Sequence, residues 1–145
     1  MSKKVLVIST SLRHNSNSDL LARQFVQGVQ EAGHQVELLS LQGKELHFCR
    51  GCLACLKQSR CVIQDDANAI VEKMAAADVI CFATPVYYYE MSGQMKTLLD
   101  RANSLYAADY AFRDIYLLTA SAEEEDSASD GPVNGLNGWI ACFEK

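Results

Sequence analysis

The chain is poor in proline, tryptophan and histidine, with two, one and three in 145 residues. It is also short of positive charge: thirteen Lys and Arg face eighteen Asp and Glu, for a formal net charge of −5. A nucleic-acid-binding face needs a basic stripe, which this balance disfavours. Long apolar runs are missing too. Val5 to Ile8 and Val79 to Ala83 fall far short of the ~20 residues that span a bilayer. The first run gives way to polar Ser9-Thr-Ser11, unlike a signal peptide. No nucleic-acid and no membrane partner is therefore expected, and the expected compartment is cytoplasmic, where thiols stay reduced. The patterns G-x-x-x-x-G-K-[ST] and G-x-G-x-x-G are absent, which disfavours a Walker site and a dinucleotide fingerprint. No Ser-His-Asp arrangement is evident, and no cysteine lies in the first polar loop to serve as a phosphatase nucleophile.

What remains is a chain with 49% hydrophobic and 21% charged residues, the balance of one globular domain over residues 1–145. Four short β-branched runs predict strands buried on both faces: Lys3 to Ser9, Gln35 to Ser40, Asp78 to Ala83 and Asp114 to Thr119. Helical spacing fills the gaps. Ser18 and Gly33 bracket the first helix, and Asp65-Asp66 caps a second that runs through Ala77. Ser92 precedes a third, with Met95, Leu98, Leu99, Ala102 and Leu105 inward, and Pro132 opens a fourth. Ser121 to Asp130 reads as an acidic loop. This alternation predicts an α/β fold: a doubly wound parallel sheet in three layers. Ligands of such sheets bind beyond the carboxyl ends of the strands, so residues 9–18, 84–90 and 119–131 become the candidate site.

The first of these loops carries Ser9, Thr10, Ser11, Arg13, Ser16, Asn17 and Ser18 into a helix N-terminus. Free N–H groups, the helix dipole, hydroxyls and one guanidinium suit a phosphate without a metal; a plain polar turn with a serine cap explains the same residues. The second loop, Thr84-Pro-Val-Tyr-Tyr-Tyr-Glu90, offers flat walls with polar tips, suited to an aromatic heterocycle. Tyrosines that merely cover the sheet end or an interface are the alternative. A monophosphate pocket and an aromatic slot at one sheet end describe a site for FMN.

In that combination the sequence resembles the flavodoxin-like NAD(P)H-dependent FMN reductases, and among them the iron–sulfur flavoproteins. The matching stretches are Ser9 to Ser18, Cys49-x2-Cys52-x2-Cys55-x5-Cys61 leading into Val62 to Asp66, Thr84 to Tyr87, and Gln94 to Arg101. They occur in the family's order. The resemblance implies that Ser11, Arg13, Ser16, Asn17 and Ser18 hold the FMN phosphate. It implies that Pro85, Val86, Tyr87 and Tyr88 hold the isoalloxazine, and that Thr119, Ala120 and Ser121, with Ala122, approach the ring's other side. Lys96, Asp100 and Arg101 match a family motif and are expected to be structural or interfacial. Thr10 and Leu12 stand where the family commonly has glycine and proline, which predicts a looser loop. The family fold also has one more strand and helix than the pattern here supplies, so a flavodoxin-like sheet lacking its last strand and helix is expected.

Cys81 and Cys142 lie in predicted elements and are expected to be small core hydrophobes. Cys49, Cys52, Cys55 and Cys61 are different. Three cysteines at every third residue with a fourth nearby suit a [4Fe–4S] cubane, with Arg50, Lys57 and Arg60 to offset its charge. Zinc, a thiol switch and inert thiols remain alternatives, and related FMN reductases carry the motif without a cluster. Three functions follow. The first is an FMN-dependent oxidoreductase with NAD(P)H as co-substrate and a quinone, flavin or similar small-molecule electron acceptor. The second is an electron-transfer module linking a ferredoxin-type donor to FMN. A non-catalytic redox-sensing or binding domain is the third. A homodimer or homotetramer is expected, with the tyrosine loop at the interface.

Overall fold

The computed structural model describes residues 1–143. Its elements in chain order are β1 (Lys4–Ser9), α1 (Asn17–Glu31), β2 (Gln35–Ser40), α2 (Cys55–Gln58), α3 (Asp66–Ala76), β3 (Val79–Tyr87), β4 (Glu90–Met91), α4 (Gly93–Arg101), β5 (Asp114–Ala120) and α5 (Asp130–Ile140). A 3₁₀ segment, Ala102–Ala107, follows α4, and another, Asp126–Ser129, precedes α5. The parallel ladder runs β2-β1-β3-β5, with Val7 of β1 set between Leu38 and Cys81. This is the flavodoxin-like arrangement. Among the described residues β5 pairs only with β3 and so forms one edge.

Side chains alternate across the strands and split the core in two. Val5, Val7, Val79, Cys81 and Ala83 face α1, where Ala22, Phe25 and Val29 meet them. Leu6, Ile8, Ile80 and Phe82 face the other way, onto Ile70, Met74, Leu98 and Leu136 of α3, α4 and α5. The second face is the better covered. Trp139 and Phe143 close it over Phe112. Among the described residues, α1 covers the first face alone. Tyr116 of β5 touches Phe25 there yet stays half exposed. No helix among the described residues is long and apolar enough to cross a membrane.

Three local expectations need correction. Ser16, not Ser18, caps α1: Asn15 takes a positive φ, Ser16 is extended, and its Oγ accepts the Asp19 N–H at 3.2 Å. β3 runs on through Pro85 to Tyr87. The last β1 pair is Ser9 with Ala83, so Pro85 lies beyond that ladder and its missing N–H breaks no bond there. The added residues pair with β4, a strand too short to show in the sequence. Finally, Cys142 is exposed, because α5 ends at Ile140 and leaves it outside the core. Cys81 is fully buried as expected, and burial pushes its thiol up to about 12.

Candidate functional site

Three segments meet at the carboxyl end of the sheet around one cavity of about 290 Å³. Ser11, Arg13, Ser16, Asn17 and Ser18 come from the loop after β1; Pro85, Val86 and Tyr87 from the end of β3; Ala120, Ser121 and Ala122 from the chain after β5. No acidic residue lines it. A helix N-terminus leaves N–H groups without intrahelical acceptors and favours an anion. Here the α1 terminus presents Asn17 and Ser18 to the cavity.

Two of the expected site residues, Thr119 and Tyr88, do not line this cavity. Thr119 Oγ1 is taken by Ser129 Oγ at 2.7 Å, which turns its side chain toward the following loop. Tyr88 is fully exposed and borders an adjoining cavity of about 470 Å³ with Tyr87, Tyr89, Ser121 and Glu123. His14 is exposed and outside the lining.

The loop after β1 is not loose. Thr10 is fully buried, and its N–H and Oγ1 both donate to Ala83 O at 2.9 Å. Gln94 Nε2 donates to Thr10 O at 2.7 Å. The hydroxyl at position 10 replaces with bonds what a glycine would supply with compactness. Thr10, Thr84 and Ser92 form a buried hydroxyl cluster: Ser92 Oγ lies 3.2 Å from Thr10 Oγ1 and accepts from Thr84 Oγ1 at 3.3 Å. It ties the first loop to β3 and to the N-cap of α4. Asp19 braces the loop from behind, accepting from Ser9 Oγ at 2.9 Å and from Arg23 Nε at 3.0 Å.

The aromatic end rests on a strained turn. Tyr88 and Tyr89 join β3 to β4 as a two-residue hairpin loop, with φ of 50° and 61°. Such turns favour Asn-Gly, and positive φ at bulky residues costs about 1–3 kcal/mol each. α5 holds the turn in place: a Cβ on Gly131 would fall on the Tyr89 carbonyl. Glu125, then Glu123, raise the pKa of the exposed Tyr89 phenol by their charge, and Glu125 Oε2 accepts from its OH at 3.4 Å. Sequence reasoning passed over Asp19 and Gly131. Asp19 had a signal, as an acid in the first turn of a helix; Gly131 had none until α5 was seen against the turn.

The cysteine segment lies elsewhere, over the carboxyl end of α4. Cys49, Cys52, Cys55 and Cys61 border one small cavity of about 30 Å³ with Arg101 and Asn103. Cys49 and Cys52 are exposed, Cys55 and Cys61 half-buried. Among the described residues no three His, Cys, Asp or Glu are grouped closely enough to hold a metal ion. Two sulfurs already accept N–H groups. Gly51 N donates to Cys49 Sγ at 3.4 Å, and Asn103 Nδ2 to Cys55 Sγ at 3.2 Å. Such outer donors suit thiolates that ligate a cluster. By donor type the four thiols suit a cubane, though in their present placement they are not grouped around one.

A buried ion pair holds the segment's ends. Arg101 does not pair with Asp100, which instead binds Lys96 at 2.7 Å. Its Nη atoms grip both oxygens of Asp65 at 2.5 and 2.9 Å, with both side chains inaccessible to solvent. They also donate to His47 O at 2.9 Å and Ile63 O at 3.1 Å, on either side of the cysteines. Burial opposes the Asp65 charge, but Arg101 and the N–H groups of His47 and Ala67 outweigh it and lower its pKa to about 2.

The architecture and site geometry define a flavodoxin-like α/β protein with an anion-ready loop beside an aromatic slot. The chain belongs to the NADPH-dependent FMN reductase family, whose pattern matches residues 3–141. It is 41% identical over 102 residues to an iron–sulfur flavoprotein of Methanocaldococcus jannaschii, covering 70% of this chain and 53% of that one. It is 34% identical over 138 residues to an iron–sulfur flavoprotein of Methanosarcina thermophila, covering 94% and 72%. The chain thus spans about half of the first relative. The NAD(P)H:quinone oxidoreductase of Methanothermobacter marburgensis shares the fold with a TM-score of 0.75 and 17% identity, over 98% of this chain and 79% of that one.

Proposed function

We propose that the chain binds FMN at the carboxyl end of its sheet and passes electrons from NAD(P)H to a small-molecule acceptor such as a quinone or flavin. The observation that carries this is the meeting of ten anticipated site residues, from three distant segments, around one cavity with a single cation and no carboxylate. Ser11, Ser16, Asn17 and Ser18 serve as phosphate donors, and Arg13 offsets its charge. Pro85, Val86 and Tyr87 present backbone and a ring face to the isoalloxazine, with Tyr88 at its outer edge. Thr119, Ala120 and Ser121 form the opposite wall, Thr119 through its backbone. Bound FMN supplies the hydride chemistry; the protein positions it and sets its surroundings.

The test is FMN binding followed by flavin fluorescence. Arg13→Ala removes a charge-assisted contact of about 1.5–3 kcal/mol, so FMN affinity should fall at least tenfold. Unchanged affinity would remove Arg13 from the phosphate site. NAD(P)H oxidation with a quinone acceptor then tests turnover.

A second role is favoured by the four cysteines on one cavity: relay of single electrons between a ferredoxin-type donor and FMN through a [4Fe–4S] cluster on Cys49, Cys52, Cys55 and Cys61. The present space suits roughly a water or two, so loading would require the exposed arm with Cys49 and Cys52 to move outward. Anaerobically prepared protein with a flavin band alone supports the reductase. A broad brown absorbance with iron and sulfide adds the relay. A colourless protein that takes up no FMN leaves only a binding or sensing domain. A homodimer or homotetramer closing over the tyrosine turn completes the proposal, and sedimentation measures it.

A further inference from the structure

Arg101 is the largest fully buried side chain among the described residues, 2% exposed at the end of α4. A guanidinium carries five N–H donors in a fixed plane. Four are engaged on Asp65, His47 O and Ile63 O. The fifth, on Nε, is buried and has no partner. A charged donor left unmatched out of water is costly, and such a group calls for an explanation. Arg101 borders the small cavity that the four cysteines line.

Within that cavity the sulfurs are not equivalent. Cys49 accepts from Gly51 and Cys55 from Asn103. Cys61, half-buried, lines the cavity with Arg101 and stands two residues before Ile63, whose carbonyl Arg101 holds. Both oxygens of Asp65 are occupied by the Nη edge, so the Nε edge is left for another anion. Lysine has no second edge: it could neutralise Asp65, but it could not serve two anions in one plane.

We propose that Arg101 is a positioning residue for the cysteine site, its Nε–H held ready to donate to the Cys61 sulfur when that sulfur ligates an iron–sulfur cluster, thereby raising the cluster's reduction potential. This rests on the assignment of Cys49, Cys52, Cys55 and Cys61 as cluster ligands. Hydrogen bonds to cluster sulfurs favour the reduced form, which carries one more negative charge. Because Asp65 already balances the guanidinium charge, the effect comes from the directed N–H rather than from a free cation. Asp65 acts through Arg101 by fixing its plane.

The experiment compares wild type and Arg101→Lys, each reconstituted anaerobically with iron and sulfide. The one-electron couple is titrated with dithionite as reductant. Arg101→Lys should bind iron, sulfide and FMN in the wild-type ratio. Its cluster potential should move to more negative values, and one Fe–S(Cys) stretching band should rise in frequency as its hydrogen bond is lost. A fully loaded variant with the wild-type potential and unchanged bands overturns the inference while leaving the cluster assignment intact. A wild type that takes up no iron or sulfide overturns the assignment and the inference with it. Should Arg101→Lys fail to fold, wild type labelled with 15N at arginine Nε gives the answer. One slowly exchanging Nε–H resonance should shift when the cluster is reduced, and no such shift overturns the inference.

Discussion

The loop after β1 and the cysteine segment are both irregular stretches bearing the residues of a candidate site, yet they are held in opposite ways. The loop is an extension of the sheet. Ser9, Thr10, Ser11, Ser16 and Ser18 are buried, and backbone bonds from Thr10 to Ala83 and from Leu41 to Ser9 carry the ladder into it. The cysteine segment has no strand and one four-residue helix. Phe48 is 80% exposed beside it, and Leu53, Leu56 and Val62 are exposed along it. Side chains fasten its ends: Arg101, Asp65, and Asn68, whose Nδ2 donates to Cys61 O and Ile63 O. A loop set by ladders loses contacts one at a time, whereas a segment tied by one knot is released as a whole.

The strongest way to break that contrast is to cut the knot. Arg101→Ala or Asp65→Ala leaves an uncompensated buried charge and should cost about 3–5 kcal/mol, read as a shift in the urea midpoint. The segment should then become protease-sensitive between Phe48 and Gln64, while residues 9–18 stay protected. Equal sensitivity in both places would show that the segment is not separately anchored.

Acid probes the same knot more gently. The carboxyl of Asp65 is held at about 2 against a usual 3.8. A depressed folded pKa stabilises the protein fully above the unfolded value and loses that contribution as pH falls through the folded one. The shift corresponds to about 2 kcal/mol, lost between roughly pH 4 and pH 2. Urea titrations across that window should show Asp65→Asn, already destabilised, falling less steeply with acid than wild type. Parallel acid slopes in the two proteins would show that Asp65 carries no special share.

The same contrast explains what was legible in the sequence. Strands and loop are consecutive in the chain, and their signals are local: β-branched runs, a serine-rich turn, a helix start. Most of the fold could therefore be anticipated from spacing, and ten of the twelve residues that the family resemblance implied for the cofactor line the cavity. The misses fall where distant chain meets. Asp65 looked like a cap, and it is one, with Oδ1 accepting from Ala67 N at 3.0 Å; its grip on Arg101, 36 residues away, leaves no periodic trace. Gly131 lies under Tyr89, and Thr119 is turned away by Ser129, for the same reason.

The smallest effect sharpens the comparison from the other side. Ser16 is 4% exposed and caps α1 through the Asp19 N–H. Its Oγ also lies 3.3 Å from that of Ser18. Ser16→Ala should cost about 1 kcal/mol, the usual loss for a serine cap, because Thr10, Gln94 and the ladders still hold the loop. FMN affinity should drop by more than this structural loss suggests, since one hydroxyl serves both cap and phosphate. Chemical denaturation and flavin titration on the same variant separate the two. A stability loss as large as that of Arg101→Ala would mean that the cap, not the sheet, shapes the loop. Full stability with wild-type FMN affinity would mean that Ser16 serves neither. A small loss of stability with a larger loss of affinity is what a preformed anion cradle built on a sheet requires.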